Sequence, residues 1–418
     1  MRKQIIRNKL LVLFPILFLL TGCWDQEEID RKAYVLGIGL DPSEKEGFIK
    51  VTFLVSNPEA GSTQQGSSST EPSQEIITID STSIIQAKDL SNAVAAKNLS
   101  YDILDFFIVS EELAKNENFL RWFYDATKER DIRRDTKIIV SKEKASEFLK
   151  RNNPQLETRQ HEYYEIMFDN GNKLGLIPES TINNFFRITE VDADLFISAL
   201  ATTKKEDDKN KMNIDDTLKA GNLKVEGQTN PTQFLGSAVF KEGKMIGTLT
   251  VEETRLTQLV NPGMAKTDFL ASFRDPFREE FWITARFTQL EDPDIKIDVS
   301  QKPPKIDIKL PLHVEVLTDH SMVNYADNEQ NRKELKESLK KQFEESFYKF
   351  VKRTKEEFKA QPFGFSFIVR KHFLTIPEWE QYDWMKSYPE AEVSINVDIE
   401  FGQFGRQTEL PDLKKVRD

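Results

Sequence analysis

Apolar and polar residues alternate in several stretches of the first third of the chain, and between those stretches apolar residues recur at a helical spacing. Alternation is typical of a strand with one buried face, whereas a spacing of three or four is typical of an amphipathic helix. The pattern predicts strands at residues 33–40, 48–56, 75–80, 103–109 and 136–140, and helices at 83–99, 111–128 and 142–150. Strands and helices therefore interleave, which favours a mixed α/β sheet layer.

The second half of the chain has an antiparallel pattern of strands. Strands are predicted at residues 234–240, 244–251, 280–290, 295–299, 305–316 and 392–401. The first two form a hairpin that turns at Glu242-Gly243. Pro303, Pro304 and Pro311 lack a backbone donor, so they confine the later strands to sheet edges or mark the strand ends.

A long amphipathic helix is predicted before the last strand. Its apolar residues recur every four positions or a multiple of four, with Lys and Glu between them: Leu335, Leu339, Phe343, Phe347, Val351 and Phe358. This pattern corresponds to a helix of roughly 28 residues. The helix could bind a partner or a groove through this stripe, or pack the stripe across the C-terminal sheet. We favour packing.

The predicted fold class is α+β, with several domains whose mixed or antiparallel sheets are each packed with helices. Residues 57–74 are rich in Ser, Thr, Gly, Pro and Gln, which predicts a flexible loop. A run of Lys, Glu, Asp and Asn predicts a charged linker. The expected units are a signal peptide at 1–22, an N-terminal α/β domain at 23–199, the linker at 200–228, and a C-terminal α+β region at 229–418, either whole or divided into about 229–300 and 301–418.

The N-terminus has the pattern of a processing segment. An apolar run at residues 10–20 follows four cationic residues, Arg2, Lys3, Arg7 and Lys9. The run is too short for a transmembrane helix, which needs about 20 apolar residues, but it suits a signal peptide. The run ends in Leu20-Thr21-Gly22-Cys23, which resembles a bacterial lipobox. Cleavage before Cys23 would leave its thiol to carry S-diacylglycerol, and its freed amino group could be acylated as well. The alternative is an uncleaved N-terminal anchor with an incidental cysteine.

Composition limits the classes of partner and of chemistry. The chain carries 69 Asp and Glu against 58 Lys and Arg, a net charge of −11, which argues against nucleic-acid binding. Loss of residues 1–22 would remove four cations and leave about −15. One cysteine closes no intramolecular disulfide and builds no cysteine-rich metal site. We therefore expect an acidic body tethered by lipid to the outer face of the cell membrane.

No catalytic, cofactor-binding or metal-binding residues are predicted. The four histidines are far apart in sequence, and neither His-Glu-x-x-His nor Gly-x-Ser-x-Gly occurs. Gly37 and Gly39 lack the third glycine of a dinucleotide-binding fingerprint. We therefore interpret them as glycines that let the end of a strand bend. The sequence favours a protein that is not an enzyme.

The residues after Cys23 are the most distinctive of the chain. They include Trp24, Asp25, Glu28 and Ile29, and a strand that ends in Gly37-Ile38-Gly39-Leu40-Asp41. Similar segments follow at 107–115, 234–241 and 245–247, and then at Gln361, Gly364-Phe365, Arg370 and Trp379, with Ser366 in place of a glycine. In this order the chain resembles the Ger(x)C family, the lipoprotein C subunits of bacterial spore germinant receptors.

The resemblance implies three α+β domains and a function without catalysis. It implies assembly with an integral membrane A subunit and a polytopic B subunit in the inner spore membrane, in a complex that triggers germination in response to nutrients. It assigns no role to Trp24, Asp25, Glu28, Gly37, Gly39 or Asp41. Asp25 and Glu28 could contact a partner or cap the first turn. Whether this subunit contacts the nutrient also stays open.

Two other classes share part of this pattern. A solute-binding lipoprotein of a membrane importer has the same lipobox, but it usually has two doubly wound lobes. A membrane-tethered hydrolase would need a catalytic constellation that the sequence does not display.

Overall fold

The computed structural model describes residues 31–56, 74–191, 193–206 and 217–405. Within these ranges the protein has two sheets with helices packed on them, so the predicted α+β class is confirmed. The predicted signal peptide, Cys23, and all of the predicted loop at 57–74 except Gln74 lie outside the described residues.

The first sheet has nine strands, in the order β3-β2-β1-β5-β6-β7-β8-β9 with β4 beside β1. In chain order the strands are β1 Lys32–Pro42, β2 Ile49–Ser56, β3 Gln74–Ser81, β4 Asn98–Ser100, β5 Phe106–Ser110, β6 Lys137–Ser141, β7 Phe196–Thr202, β8 Gln233–Lys241 and β9 Lys244–Leu249. The central strands β1, β5, β6 and β7 are parallel, and the outer pairs are antiparallel. Strands β5 and β7 are buried along their whole length, as expected for parallel strands covered on both faces.

Seven helices of the described chain cover the two faces of this sheet: α1 Ile84–Ser91, α2 Glu111–Ala114, α3 Phe119–Phe123, α4 Asp125–Lys128, α5 Ala145–Arg151, α6 Gln160–Lys173 and α7 Ile182–Val191. Neighbouring residues of β5 point to opposite faces. Phe107 packs with Phe123 of α3, and Phe106 packs with Tyr164 of α6. The sheet therefore has a hydrophobic core on each side.

Two predicted helices are shorter in the structure. The helix predicted at 83–99 ends at Ser91, where the Ser91 hydroxyl donates to the Ala87 carbonyl, and part of the remainder forms β4. The helix predicted at 111–128 is divided into α2, α3 and α4. Asn116 causes the first interruption, because its side-chain oxygen accepts a hydrogen bond from the Asn118 N–H and closes a local turn.

The predicted hairpin at 234–251 is confirmed as β8 and β9, but it belongs to the first sheet. Strand β8 pairs antiparallel with β7, so the sheet continues across the predicted linker at 200–228. The first residues of that range, up to Thr202, lie in β7. The predicted division into domains stays a prediction, but the strands on its two sides form one sheet.

The second sheet has the order β10-β11-β13-β12, with β14 on the other edge of β13. It is preceded by α8 Val251–Val260, and its strands are β10 Asp268–Arg274, β11 Trp282–Thr288, β12 Asp294–Asp298, β13 Lys305–Asp319 and β14 Glu392–Phe404. All its pairs are antiparallel except β13 with β14. This sheet differs from the doubly wound lobe typical of an importer's solute-binding protein.

Pro311 lies inside β13, so the prediction that it confines the strand to an edge or an end is wrong. The pairing with β12 ends at Lys309, and the pairing with β11 begins at His313. Pro311 occupies the gap between these two neighbours, and the strand continues there through its pairing with β14. Pro303 and Pro304 precede the strand, as predicted.

The long helix α9 spans Glu329–Arg353 and continues as a π-helical turn at Thr354–Phe358. Its predicted stripe is buried in one core with residues of the second sheet, so the packing interpretation is confirmed. Three short helices follow: α10 Ser366–Val369, α11 Ile376–Tyr382 and α12 Trp384–Ser387. The same core includes Ile197 of β7 and Val239 of β8, so it joins the two sheets.

Candidate functional site

The motif at the end of β1 packs against helix α5 and caps its N-terminus. Gly37, Gly39 and Asp41 are two residues apart, and their neighbours show that all three face the side of the sheet covered by α5 and α6. The Asp41 carboxylate is fully buried and accepts hydrogen bonds from the N–H groups of Ala145, at 2.7 Å, and Ser146, at 3.0 Å. Asp41 therefore caps α5 from a distant strand.

The two glycines make room for this packing. A Cβ atom on Gly39 would lie 3.1 Å from Leu149 and 3.2 Å from Ala145, both on α5. A Cβ atom on Gly37 would lie 2.2 Å from the ring of Phe106. The role that the sequence left open for Gly37, Gly39 and Asp41 is thus close packing and helix capping, not the binding of a nucleotide.

The motif near the C-terminus surrounds a buried carboxylate, Asp194. The side chain of Asp194 accepts hydrogen bonds from the Gln361 amide, from the Ser366 hydroxyl and from the Ser366 N–H at 3.3 Å. The Leu195 N–H donates to the Gln361 carbonyl at 2.8 Å. These bonds fix the segment before α10 to the start of β7, so the motif is a junction between the two sheets.

Gly364 allows the turn at this junction. Its φ of +70° lies in the left-handed region, and a Cβ atom there would lie 2.6 Å from the Asn261 side-chain oxygen. The Asn261 amide also donates to the Pro362 carbonyl at 2.8 Å. The turn is therefore held on one side by Asn261 and on the other by Asp194.

Ser366 replaces a glycine of the family pattern without disturbing the turn, because its hydroxyl binds Asp194. Gln361, Gly364 and Ser366 belong to the motif that is recognisable in the sequence, whereas Asp194 and Asn261 lie outside it. The sequence did contain a signal for a buried acceptor at this place. Ser366 adds a hydroxyl where the family pattern has a glycine, and a buried hydroxyl needs a hydrogen-bond partner.

Burial raises the pKa of Asp194 to about 6. Desolvation of the carboxylate is the largest cause, and the bonds from Ser366 and Gln361, together with the charge of Arg187, oppose it. The carboxyl group of Asp194 is therefore placed to change its charge under mildly acidic conditions.

A cleft of about 410 Å³ opens beside this junction. Arg187 of α7 lies over the ring of Phe367 of α10, 4.7 Å from the ring centroid. Phe367 is 44% exposed and Ile376 is 60% exposed. Arg370 and Trp379, which belong to the same sequence motif, also line the cleft. Arginine and tryptophan side chains around a recess are typical of contact surfaces between proteins.

The described residues show no catalytic constellation. The histidines lie on separate elements: His161 on α6, His313 on β13, His320 beside the Trp282 carbonyl, and His372 after α10. Within the described ranges, no group of three or more His, Cys, Asp or Glu could hold a metal ion.

The remaining predicted site residues are not described. Cys23, Trp24, Asp25 and Glu28 precede residue 31, so the lipidation site stays a prediction. Among the helices of the described ranges, none has the length and apolar character needed to span a bilayer.

Comparison with known proteins gives a consistent result over both halves of the chain. The model of the spore germination protein N-terminal domain matches residues 25–215, and the model described as spore germination B3/GerAC like, C-terminal, matches residues 235–405. A solved structure, the crystal structure of the GerBC protein, is similar with a TM-score of 0.50 at 14% identity. The alignment covers 90% of this chain and 99% of that one, and it concerns the fold alone.

Two curated relatives come from Bacillus subtilis (strain 168). Spore germination protein A3 is 40% identical over 70 residues, which is 17% of this chain and 18% of the relative. Spore germination protein KC is 24% identical over 150 residues, which is 35% of this chain and 37% of the relative. The matched segments therefore span well under half the length of these relatives.

The two sheets, the capped α5 and the junction at Asp194 define an α+β protein whose motif residues hold its layers together. The order of the two matched domains is that of the spore germination proteins. The chain belongs to the Ger(x)C family.

Proposed function

We propose that this protein is the C subunit of a spore germinant receptor and is needed for nutrient-triggered germination. The observation that carries the proposal is the match of the N-terminal and the C-terminal spore germination domains, in that order, to residues 25–215 and 235–405. Its partners would be the integral membrane A and B subunits of the receptor.

The same proposal places the protein on the outer face of the inner spore membrane, held by a lipid on Cys23. The lipobox at Leu20–Cys23 and the cationic residues before it support this anchor. An acidic body would be repelled by anionic headgroups, so attachment would depend on the two chains of the diacylglycerol.

The protein would act by contact and not by catalysis. Two features support this part of the proposal. The histidines of the described chain are separated, and the Gln361 and Ser366 side chains of the motif both donate hydrogen bonds to Asp194. The cleft lined by Arg187, Phe367 and Trp379 is the surface that we expect a partner subunit to use.

Deletion of the gene in its sporulating host tests the function. Spores without the protein should fail to lose absorbance and release ions in a nutrient mixture, and the wild-type gene should restore both. Purification of the membrane-extracted protein, followed by mass spectrometry, should recover two integral membrane proteins. Normal germination of the deletion spores, or recovery of importer subunits, would contradict the proposal.

A further inference from the structure

The segment between α10 and α11 presents two apolar side chains to solvent. Leu374 is 95% exposed, and Ile376, the first residue of α11, is 60% exposed. We call these two side chains the apolar tip. Ile376 also lines the cleft in which Phe367 is exposed, so the apolar surface extends from the tip into the cleft. A continuous exposed apolar surface marks a place of contact with another surface.

The fold holds this tip in one conformation. The ring of Phe373 packs with that of Trp379, 5.8 Å between centroids, and fixes the loop from the inside. The Glu378 carboxylate accepts hydrogen bonds from the N–H groups of Leu374 and Thr375, both at 3.1 Å. Backbone donors beside the tip are therefore already satisfied, which an apolar environment requires because it offers them no water.

The same loop is basic. Residues 370–376 include Arg370 and Lys371 and contain no carboxylate. Neither cation has an ion-pair partner among the described residues. Of the acidic residues that follow on α11, Glu378 is bound by the backbone of the loop, and Glu380 lies about one turn after the tip. Cations next to protruding apolar side chains are typical of surfaces that lie in a membrane interface.

The loop and the predicted lipid anchor lie at the same edge of the first sheet. Strands β1, β5, β6 and β7 are parallel, so the chain enters β1 and β7 at one edge. Asp194, just before β7, lines the cleft together with Arg370 and Ile376. Only eight residues lead from Cys23 to Arg31, a reach of at most about 28 Å. A lipid on Cys23 would therefore bring this edge, with the loop, close to the membrane.

We propose that the apolar tip inserts into the boundary between headgroups and acyl chains of the bilayer that holds the anchor, with Arg370 and Lys371 against anionic headgroups. This contact would orient the acidic body on its tether. The cleft would then open at the membrane surface, within reach of an integral membrane subunit. The inference rests on the proposed function, because it needs the anchor at Cys23. A protein surface over the tip is a different occupant, and the experiment distinguishes it.

The single cysteine of the chain allows a selective test. When Cys23 carries the lipid, Leu374→Cys introduces the one free thiol, and the exposed position loses no buried contact. The full-length variant is extracted from membranes, labelled with an environment-sensitive fluorophore, and reconstituted in vesicles of phosphatidylcholine and phosphatidylglycerol. We expect the emission to shift to the blue and to be quenched by spin labels on the lipid acyl chains.

Leu156→Cys is the matched control, because Leu156 is also a fully exposed leucine. In its loop, the Asn153 N–H donates to the Asn230 side chain at 3.3 Å, shortly before β8. Strand β8 runs antiparallel to β7 and begins where β7 ends, so this loop lies at the opposite edge of the sheet. The label at Leu156→Cys should show neither the shift nor the quenching.

Ile376→Asp, added to Leu374→Cys, tests the second side chain of the tip. It should lower the equilibrium constant for insertion about tenfold, the effect expected when one isoleucine side chain no longer leaves water. Ile166→Asp is its control, because Ile166 is an exposed isoleucine of α6 and the change adds the same charge. Ile166→Asp should leave the quenched fraction at Leu374→Cys unchanged.

Three results overturn the proposal: equal quenching at the two cysteine positions, equal effects of the two aspartate variants, or a blue shift that lipid spin labels do not quench. The last result means that a protein surface, such as a second copy of the chain, covers the tip. Equal quenching with and without phosphatidylglycerol overturns the headgroup contact of Arg370 and Lys371. Failure of the anchor has a different signature, since the wild-type chain would then take the label on Cys23. Failure of the proposed function is separate again, because the deletion spores would germinate normally.

Discussion

The carboxylate of Asp41 lies 2.7 Å from the backbone nitrogen of Ala145, although 104 residues separate them. This contact joins the end of β1 to the first turn of α5, whose own N-cap residue, Lys144, provides no capping side chain. A buried carboxylate at a helix N-terminus satisfies free N–H groups and interacts favourably with the helix dipole. The family motif at the end of β1 therefore stabilises the fold of this protein.

Asp41→Ala should reduce the free energy of unfolding by about 2 kcal/mol, because two buried N–H groups of α5 lose their acceptor. Asp41→Asn keeps one acceptor and should cost less. Urea unfolding of the two variants measures the difference. Asp80→Ala, at an exposed position of β3, is the control and should change little. Equal unfolding free energies for Asp41→Ala and the wild type would exclude the capping role.

Gly37→Ala should destabilise the protein by about 2 kcal/mol, because the new methyl group would overlap the ring of Phe106. Gly39→Ala should cost less, since its nearest neighbour would be 3.1 Å away. Adding Phe106→Leu to Gly37→Ala should recover part of the loss by removing the ring. The loss of unfolding free energy in the double variant should be smaller than the sum of the losses in Gly37→Ala and Phe106→Leu alone. If the losses add up, the steric explanation is wrong.

Asp194 should make stability depend on pH. Its pKa is raised from 3.8 in the unfolded chain to about 6 in the folded one, so its contribution to stability is fully present below about pH 3.8. That contribution is lost as the pH rises through 6, and a shift of two units corresponds to about 3 kcal/mol. Asp194→Asn carries no charge, so subtracting its unfolding free energy from that of the wild type isolates this effect. A constant difference between pH 4 and pH 7.5 would contradict the prediction.

The sequence predicted the elements better than their junctions. The stripe from Leu335 to Phe358 has an unambiguous period, so both α9 and its buried face were predictable. The end of α1 at Ser91 was not, because Val94 and Leu99 continue an apolar pattern that a turn and β4 interrupt. Contacts such as Asp41 with Ala145 and Asp194 with Ser366 join residues more than 100 positions apart. The spacing of apolar residues along the chain carries no information about such pairs.

Cys23→Ala should remove the lipid without unfolding the body, because the predicted acceptor thiol precedes the first strand, β1. The variant should leave the membrane fraction, lose incorporation of radiolabelled fatty acid, and fail to support germination in the deletion strain. Retention of its circular dichroism spectrum is the control for folding. Full membrane retention with normal germination would show that Cys23 is not the essential attachment.

Ser366→Ala should act through Asp194. The Ser366 hydroxyl is one of the groups that lower the pKa of Asp194 against burial, so removing it should raise that pKa further. The loss of stability should therefore be largest above pH 7, where Asp194 is charged, at about 2 kcal/mol for one hydrogen bond to a carboxylate. Below pH 5, where Asp194 is protonated, the loss should be smaller. Urea unfolding at several pH values measures both. Ser387→Ala is the control, because it removes a hydroxyl that donates to the Tyr382 and Asp383 carbonyls and lies away from Asp194. A loss that is equal at pH 5 and pH 7.5 would mean that Ser366 stabilises the turn by packing and not through the charge of Asp194.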